Sequence, residues 1–272
     1  MNAARFFAVG LALSLLTVPV RADFTAVMGA LKDNTIFENV PNNSGGGAAG
    51  IFSGNNNTPA KRRGLIAFDV AANVPAGATI TGVELSMYLA NAPNTNNQTI
   101  GLHKMLFNWG ENTADTSSPA VSGAGNGVPA LAGDATWNEN FFGTSTWASL
   151  GTTTGPGATN AFVTPASGSA VVGGAIDNQQ KWLTTGGLVA DVQAWLNSPS
   201  TNFGWAIVNA NETSSQTMKA FYSRQATLNN GGSGTAITPA WRPTLTITYV
   251  PEPASAMLLL VGTASMACLR RR

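Results

Sequence analysis

Gly82-Val83-Glu84-Leu85-Ser86-Met87-Tyr88-Leu89 is the stretch whose reading decides the fold. Val83, Leu85, Met87 and Leu89 alternate with Gly82, Glu84, Ser86 and Tyr88, so the apolar side chains share one face of an extended strand. Leu245, Ile247 and Tyr249 alternate with Thr244, Thr246 and Thr248 in the same way, and Phe203, Trp205 and Ile207 enclose Gly204 and Ala206. Leu65-Ile66-Ala67-Phe68-Asp69-Val70 is more uniformly apolar, as a central strand covered on both faces would be. Asn73-Val74-Pro75-Ala76-Gly77 supplies turn chemistry before Ile80, which makes the two flanking strands neighbours or partners across a sandwich.

One segment follows a different period. Leu188, Val189, Val192, Trp195 and Leu196 fall on one face of a short helix, with Gly186-Gly187 ahead of it and Pro199 closing it. A single helix among many strands predicts a cover for the open end of a sheet. Residues 39–57, 112–133 and 151–174 are rich in Gly, Asn, Ser, Thr and Ala and read as long surface loops, the last with an edge strand around residues 161–163. No repeat at a fixed period is visible. The expected architecture is all-β: one antiparallel β-sandwich of jelly-roll type over residues 23–250, with one short helix.

Composition narrows the chemistry. The 272 residues carry a formal charge of +1 with only 10% charged side chains, so there is no Lys/Arg stripe for a nucleic acid. One His and one Cys exclude a disulfide within the chain and leave zinc and most transition metals without ligands. A hydrophobic share of 44% is enough to build a real core.

The two ends read as sorting elements. Arg5, the apolar run beginning at Phe6 and the pattern Val20-Arg21-Ala22 form a secretory signal over residues 1–22, with the mature chain starting near Asp23. At the other end Pro251-Glu252-Pro253 precedes an apolar segment and the terminal Arg270-Arg271-Arg272. As a helix, the 16 apolar residues between them would span ~24 Å, short of the roughly 30 Å hydrocarbon core, so the segment is a marginal anchor. The arginines would stay on the cytoplasmic side and leave the body outside. Without both ends the body keeps nine basic against twelve acidic groups, about −3.

Residues 251–272 resemble the PEP-CTERM sorting signal, in which a Pro-Glu-Pro motif, a short hydrophobic helix and an Arg cluster follow in order. The resemblance implies processing by an exosortase, transient anchoring in the inner membrane, and delivery to the cell surface or the exopolysaccharide matrix. Cys268 would lie in that tail.

The body is similar to the DNRLRE family of β-sandwich surface domains. Arg62-Arg63-Gly64-Leu65-Ile66-Ala67-Phe68-Asp69-Val70, Val74-Pro75-Ala76-Gly77-Ala78-Thr79-Ile80 and Glu84-Leu85-Ser86-Met87-Tyr88 resemble its arginine-led strand, turn and next strand. Trp109 with Glu111, and Thr136-Trp137-Asn138-Glu139, resemble its tryptophan motifs. Asp191-Val192-Gln193-Ala194-Trp195-Leu196, Asn202-Phe203-Gly204-Trp205-Ala206, Phe221-Tyr222-Ser223-Arg224 and Arg242-Pro243-Thr244-Leu245 resemble its closing helix and strands. Gln225 departs from the pattern, where the family commonly has an acid, and the loops are longer and richer in Gly. The resemblance implies a surface domain related to some carbohydrate-binding modules.

Few residues are left to carry chemistry. His103 falls on the face opposite Ile100 and Leu102 and reads as an exposed surface imidazole, and no Gly-x-Ser-x-Gly elbow accompanies it. Glu111, Asp134 and Glu139 lie near tryptophans, and a glycosidase needs only two carboxylates flanking a bond. Calcium held by Asp and backbone oxygens is compatible with the Asn-rich loops, yet no EF-hand spacing occurs, so no metal or cofactor is assigned. Trp195, Trp205 and Trp241 sit on periodic faces and read as core. Trp109, Trp137 and Trp147 lie in or beside loops and are the candidates for a carbohydrate-binding platform, because an indole face stacks on the apolar face of a sugar.

The sequence therefore points to a secreted, non-catalytic protein of the exopolysaccharide matrix that binds polysaccharide or builds the matrix. The alternatives are a purely structural surface protein, favoured if those three tryptophans are buried, and a polysaccharide hydrolase or lyase using a carboxylate pair. Expression of the full chain in a secreting host should yield exported protein whose amino-terminal sequence begins near Asp23. Exported protein that keeps Met1 would contradict the signal reading.

Overall fold

The computed structural model describes residues 22–56, 60–114, 125–150, 157–228 and 235–252. The expected signal lies outside these residues except for Ala22. So do Pro253 and Arg270-Arg271-Arg272 of the sorting motif, whereas Pro251 and Glu252 are described. No helix among the described residues is long and apolar enough to cross a membrane.

In chain order the strands are β1 (Phe24–Gly29), β2 (Lys32–Phe37), β3 (Asn43–Ser44), β4 (Gly50–Asn55), β5 (Lys61–Ala67), β6 (Thr79–Asn91), β7 (Gln98–Lys104) and β8 (Val128–Pro129). They continue with β9 (Glu139–Phe141), β10 (Ser145–Thr146), β11 (Gly168–Val172), β12 (Gln179–Trp182), β13 (Trp205–Asn209), β14 (Lys219–Tyr222) and β15 (Thr244–Val250). Helix α1 (Val70–Asn73) is one turn, and α2 (Gly186–Asn197) is the helix read from the 3.6-residue period. Thirteen strands share one hydrogen-bonded sheet in the order β1-β15-β6-β14-β4-β5-β13-β7-β11, with β12 on β6, β2 on β5, β3 on β2 and β8 on β3. All of these pairings are antiparallel.

Strand sharing curls this sheet. β6 pairs with β15 from Thr79 to Ser86 and further along with β14 at Leu89 and Asn91, with a register shift inside each pairing. β5 gives Lys61 and Arg62 to β4, and Gly64, Leu65 and Ile66 to β13. Each long strand thus passes from one neighbour to the next along its length, and a twisted antiparallel sheet bends at such places. The bend brings Val83, Leu85, Met87, Leu245 and Ile247 onto one core with Ile66, Ile100, Leu102, Trp205 and Ile207. β5 and β6 both contribute to that core without pairing to each other.

β5 is covered on both faces, which explains its continuous apolar run. Ile66 belongs to the main core, while Leu65 and Ala67 enter a second cluster with Ile36, Met105, Trp109, Trp137 and Trp147. Helix α2 is capped by Thr185, whose hydroxyl accepts the Leu188 N–H at 3.1 Å. It buries Leu188, Val192, Trp195 and Leu196 against the main core, as their spacing predicts.

Two expectations are corrected. The stretch expected as a surface loop over residues 39–57 is, in its described part to residue 56, not one: β4 runs inside it and is buried at every position. Ile51 and Phe52 anchor it, and small neighbours let the backbones approach, since Gly64 faces Ile51 with no space for a Cβ. The edge strand of the third Gly-rich stretch is Gly168–Val172, whereas residues 161–163 form only a single bridge, Met105 to Phe162.

Trp205 couples sheet to helix. Its ring meets Trp195 edge-on at 4.6 Å between centroids, and its indole N–H donates to Asp191 at 2.8 Å. The residue before it has φ +73°, and a Cβ there would overlap the Ile66 carbonyl. Only glycine satisfies both conditions. Gly204→Ala should therefore lower stability by at least ~2 kcal/mol in denaturant unfolding, and an unchanged midpoint would contradict this close approach.

Candidate functional site

The three tryptophans proposed as a sugar platform are internal. Trp109, Trp137 and Trp147 are 1%, 4% and 1% exposed. Trp109 donates its indole N–H to the Phe203 carbonyl at 2.8 Å and carries the Lys32 ammonium 4.0 Å above its ring. Trp147 donates to the Thr136 carbonyl at 3.0 Å, and the Arg63 guanidinium lies 5.4 Å from the Trp137 ring. A sugar ring stacks only on an open indole face, so as folded these residues pack the loops onto the outer face of β5 and β13. The platform expectation is corrected accordingly. Their position beside Gly-rich loops suggested exposure because sequence does not reveal that the loops fold back over the sheet.

The carboxylates singled out beside them are also committed. Asp134 accepts the Asn112 and Leu131 N–H groups at 2.7 and 2.8 Å, and Glu139 accepts the Gly143 N–H at 2.7 Å. Burial raises the Asp134 pKa against those bonds. Glu111 accepts Arg224 Nε at 2.8 Å and Gln225 Nε2 at 2.6 Å. His103, expected on the surface, is half-buried: Nδ1 lies 2.9 Å from the Val163 carbonyl, the ring tilts against Phe162, and burial lowers its pKa.

What the fold does assemble is a polar cluster that joins Glu111, Arg224 and Gln225, named separately from the sequence, to Lys32 and Asp33, which were not. Lys32 and Asp33 enter β2 side by side, Glu111 follows the loop after β7, and Arg224 and Gln225 follow β14. Asp33 is 1% exposed and its Oδ2 accepts the Arg224 backbone N–H at 2.8 Å. Desolvation, helped by nearby Glu111, pushes its pKa up to about 8. Lys32 donates to Asn108 Oδ1 at 2.8 Å and to the Trp109 carbonyl, and burial brings its pKa down to about 8 against the attraction of Glu111. One sequence signal pointed here: two adjacent charges in a chain that has few, opening a strand that is otherwise interior.

Arg224 carries the cluster to the surface. It lines a partly open groove of about 470 Å³ with Val27, Met28, Gly29 and Ala30 of β1 and its exit, and with Pro239, Arg242, Pro243 and Thr244. This volume lies in the range of small-ligand sites. Arg242 is held by its Nε, which donates to the Ala226 carbonyl at 3.0 Å. The groove thus combines apolar residues with two arginines, whereas the other cations among the described residues are tied to carbonyls or acids. Arg63 pairs with Glu212 and Lys219 is wholly buried against the Asn94 and Asn96 carbonyls.

Comparison with models of known protein families returns no match for this chain, and comparison with curated proteins returns none.

The raised pKa of Asp33 sets a direction for stability. An unfolded aspartate loses its proton near pH 3.9, whereas the folded one holds it to about 8, so stability drains away as pH rises between these values. Asp33→Asn removes that linkage. The unfolding midpoint of the variant should gain on the parent steadily from pH 5 to pH 8, and parallel curves would contradict the burial of an ionisable Asp33.

Proposed function

We propose that this chain is an exported, non-catalytic protein of the cell surface or exopolysaccharide matrix, where it binds polysaccharide or builds the matrix. The observation that carries this reading is how the chemically capable side chains are used. Glu111, Asp134 and Glu139 each hold backbone or side-chain donors, and Trp109, Trp137 and Trp147 pin loops to the sheet. These are scaffold roles, and they suit a durable presenting surface. The burial of the three tryptophans favours the structural side of the reading and moves any glycan contact away from them.

The finer architecture belongs to the same proposal. The curled antiparallel sheet shares one core among β5, β6, β7, β13 and β15, and this supports the reading as a jelly-roll sandwich of the DNRLRE kind. The sorting reading adds the route outward. Pro251-Glu252 follows β15 directly, with the Glu252 carboxyl against the turn at Gly77, so the motif would begin where β15 ends.

The exported protein should co-sediment with insoluble exopolysaccharide and release no reducing sugar from it. Turnover of the polysaccharide that is lost in Glu111→Gln or Glu139→Gln would replace this reading with a hydrolase.

A further inference from the structure

Two arginines, Arg224 and Arg242, line the groove between β1 and the turn ahead of β15. Arg224 has its Nε on Glu111, and Arg242 has its Nε on the Ala226 carbonyl. Neither has a partner at its terminal nitrogens among the described residues, and both side chains line the groove. Anchoring a guanidinium through Nε fixes its plane while leaving the two outer N–H groups to form a fork, so the conformational entropy is lost on folding and not on binding. Such a fork matches the two oxygens of a carboxylate or sulfate.

The electrostatic balance fits an anion. Glu111 neutralises one unit of charge, while Asp33 below it is held protonated at neutral pH by burial, so the second guanidinium is not compensated by the cluster. Val27 and Pro239, both exposed, add apolar surface for the C–H face of a sugar ring, and Val27 is 63% exposed. We propose that this groove binds an acidic sugar residue of a polysaccharide through paired contacts from Arg224 and Arg242 to a uronate carboxylate or a sulfate ester. The inference rests on the polysaccharide-binding reading above and names its ligand class and site.

Calorimetric titration of the exported protein with an oligogalacturonate, its methyl-esterified neutral form and a sulfated oligosaccharide of equal length tests it. Binding of either acidic oligomer, with the neutral form at least tenfold weaker, is the expected result, and the stronger acidic arm identifies the anion. Arg242→Gln and Arg224→Lys should each weaken acidic binding about tenfold, the second keeping a cation beside Glu111. Val27→Glu, a change at an exposed rim position, should abolish it while leaving the unfolding midpoint in place. Equal binding of neutral and acidic oligomers, or binding indifferent to Val27→Glu and Arg242→Gln, overturns the groove and leaves the matrix reading standing. Failure of the protein to bind any of these oligomers while it still sediments with exopolysaccharide also overturns the groove alone. Failure of both overturns polysaccharide binding itself.

Discussion

Burial of large indoles, four of them with the N–H answered and Trp195 with its N–H left unpartnered, is the constraint on which the rest of this structure depends. Trp109, Trp147, Trp182 and Trp205 are fully enclosed, and each donates to a carbonyl or carboxylate between 2.8 and 3.0 Å. An indole buried without such a bond forfeits part of what its area contributes, and truncating a well-packed one costs ~3–5 kcal/mol. The acceptors come from distant parts of the chain: the Trp109 bond reaches the Phe203 carbonyl just ahead of β13, and the Trp182 bond reaches Ile100 in β7. Each indole therefore fixes where two segments meet. That is how a chain with so few charges and so many glycines holds long connections against both faces of a curled sheet.

Charge follows the same logic. Arg62 is almost wholly buried and donates to the Ala60 and Gly125 carbonyls and to Asn126, while the Arg63 guanidinium is clasped by Glu212 and packed near Trp137 and Phe162. Buried cations of this kind order irregular backbone, because guanidinium donors satisfy carbonyls that no strand partner reaches. Arg224 and Arg242 differ in having no partner for their outer nitrogens among the described residues, at the groove they both line. The contrast between arginines consumed by the fold and arginines left at its surface is what the proposed site rests on.

Sequence legibility tracked the kind of burial. Val83 to Leu89 and Thr244 to Val250 could be read because one face is covered and the other is not, and α2 because its apolar residues return every third or fourth position. β4 was hidden because a strand buried at every position shows no alternation, and Gly50, Ser53 and Gly54 resemble loop residues when their neighbours are unknown. The tryptophans were misplaced for a related reason: local sequence shows that Trp137 and Trp147 border loops, but not that the loops lie over them. Arg242 appeared only as part of a strand entry, since its relation to Arg224 arises from the approach of two segments distant in sequence.

Quenching of tryptophan emission tests the central claim most directly. Six of the seven indoles are buried, and Trp241, stacked on Tyr88 with ring centroids 5.3 Å apart, is the one that is partly exposed. Native protein titrated with iodide should lose only a small fraction of its emission, and Trp241→Phe should remove nearly all of that quenchable fraction. Strong quenching that persists in Trp241→Phe would mean that indoles placed inside the fold are open to solvent, and the tryptophan-tied scaffold would be contradicted.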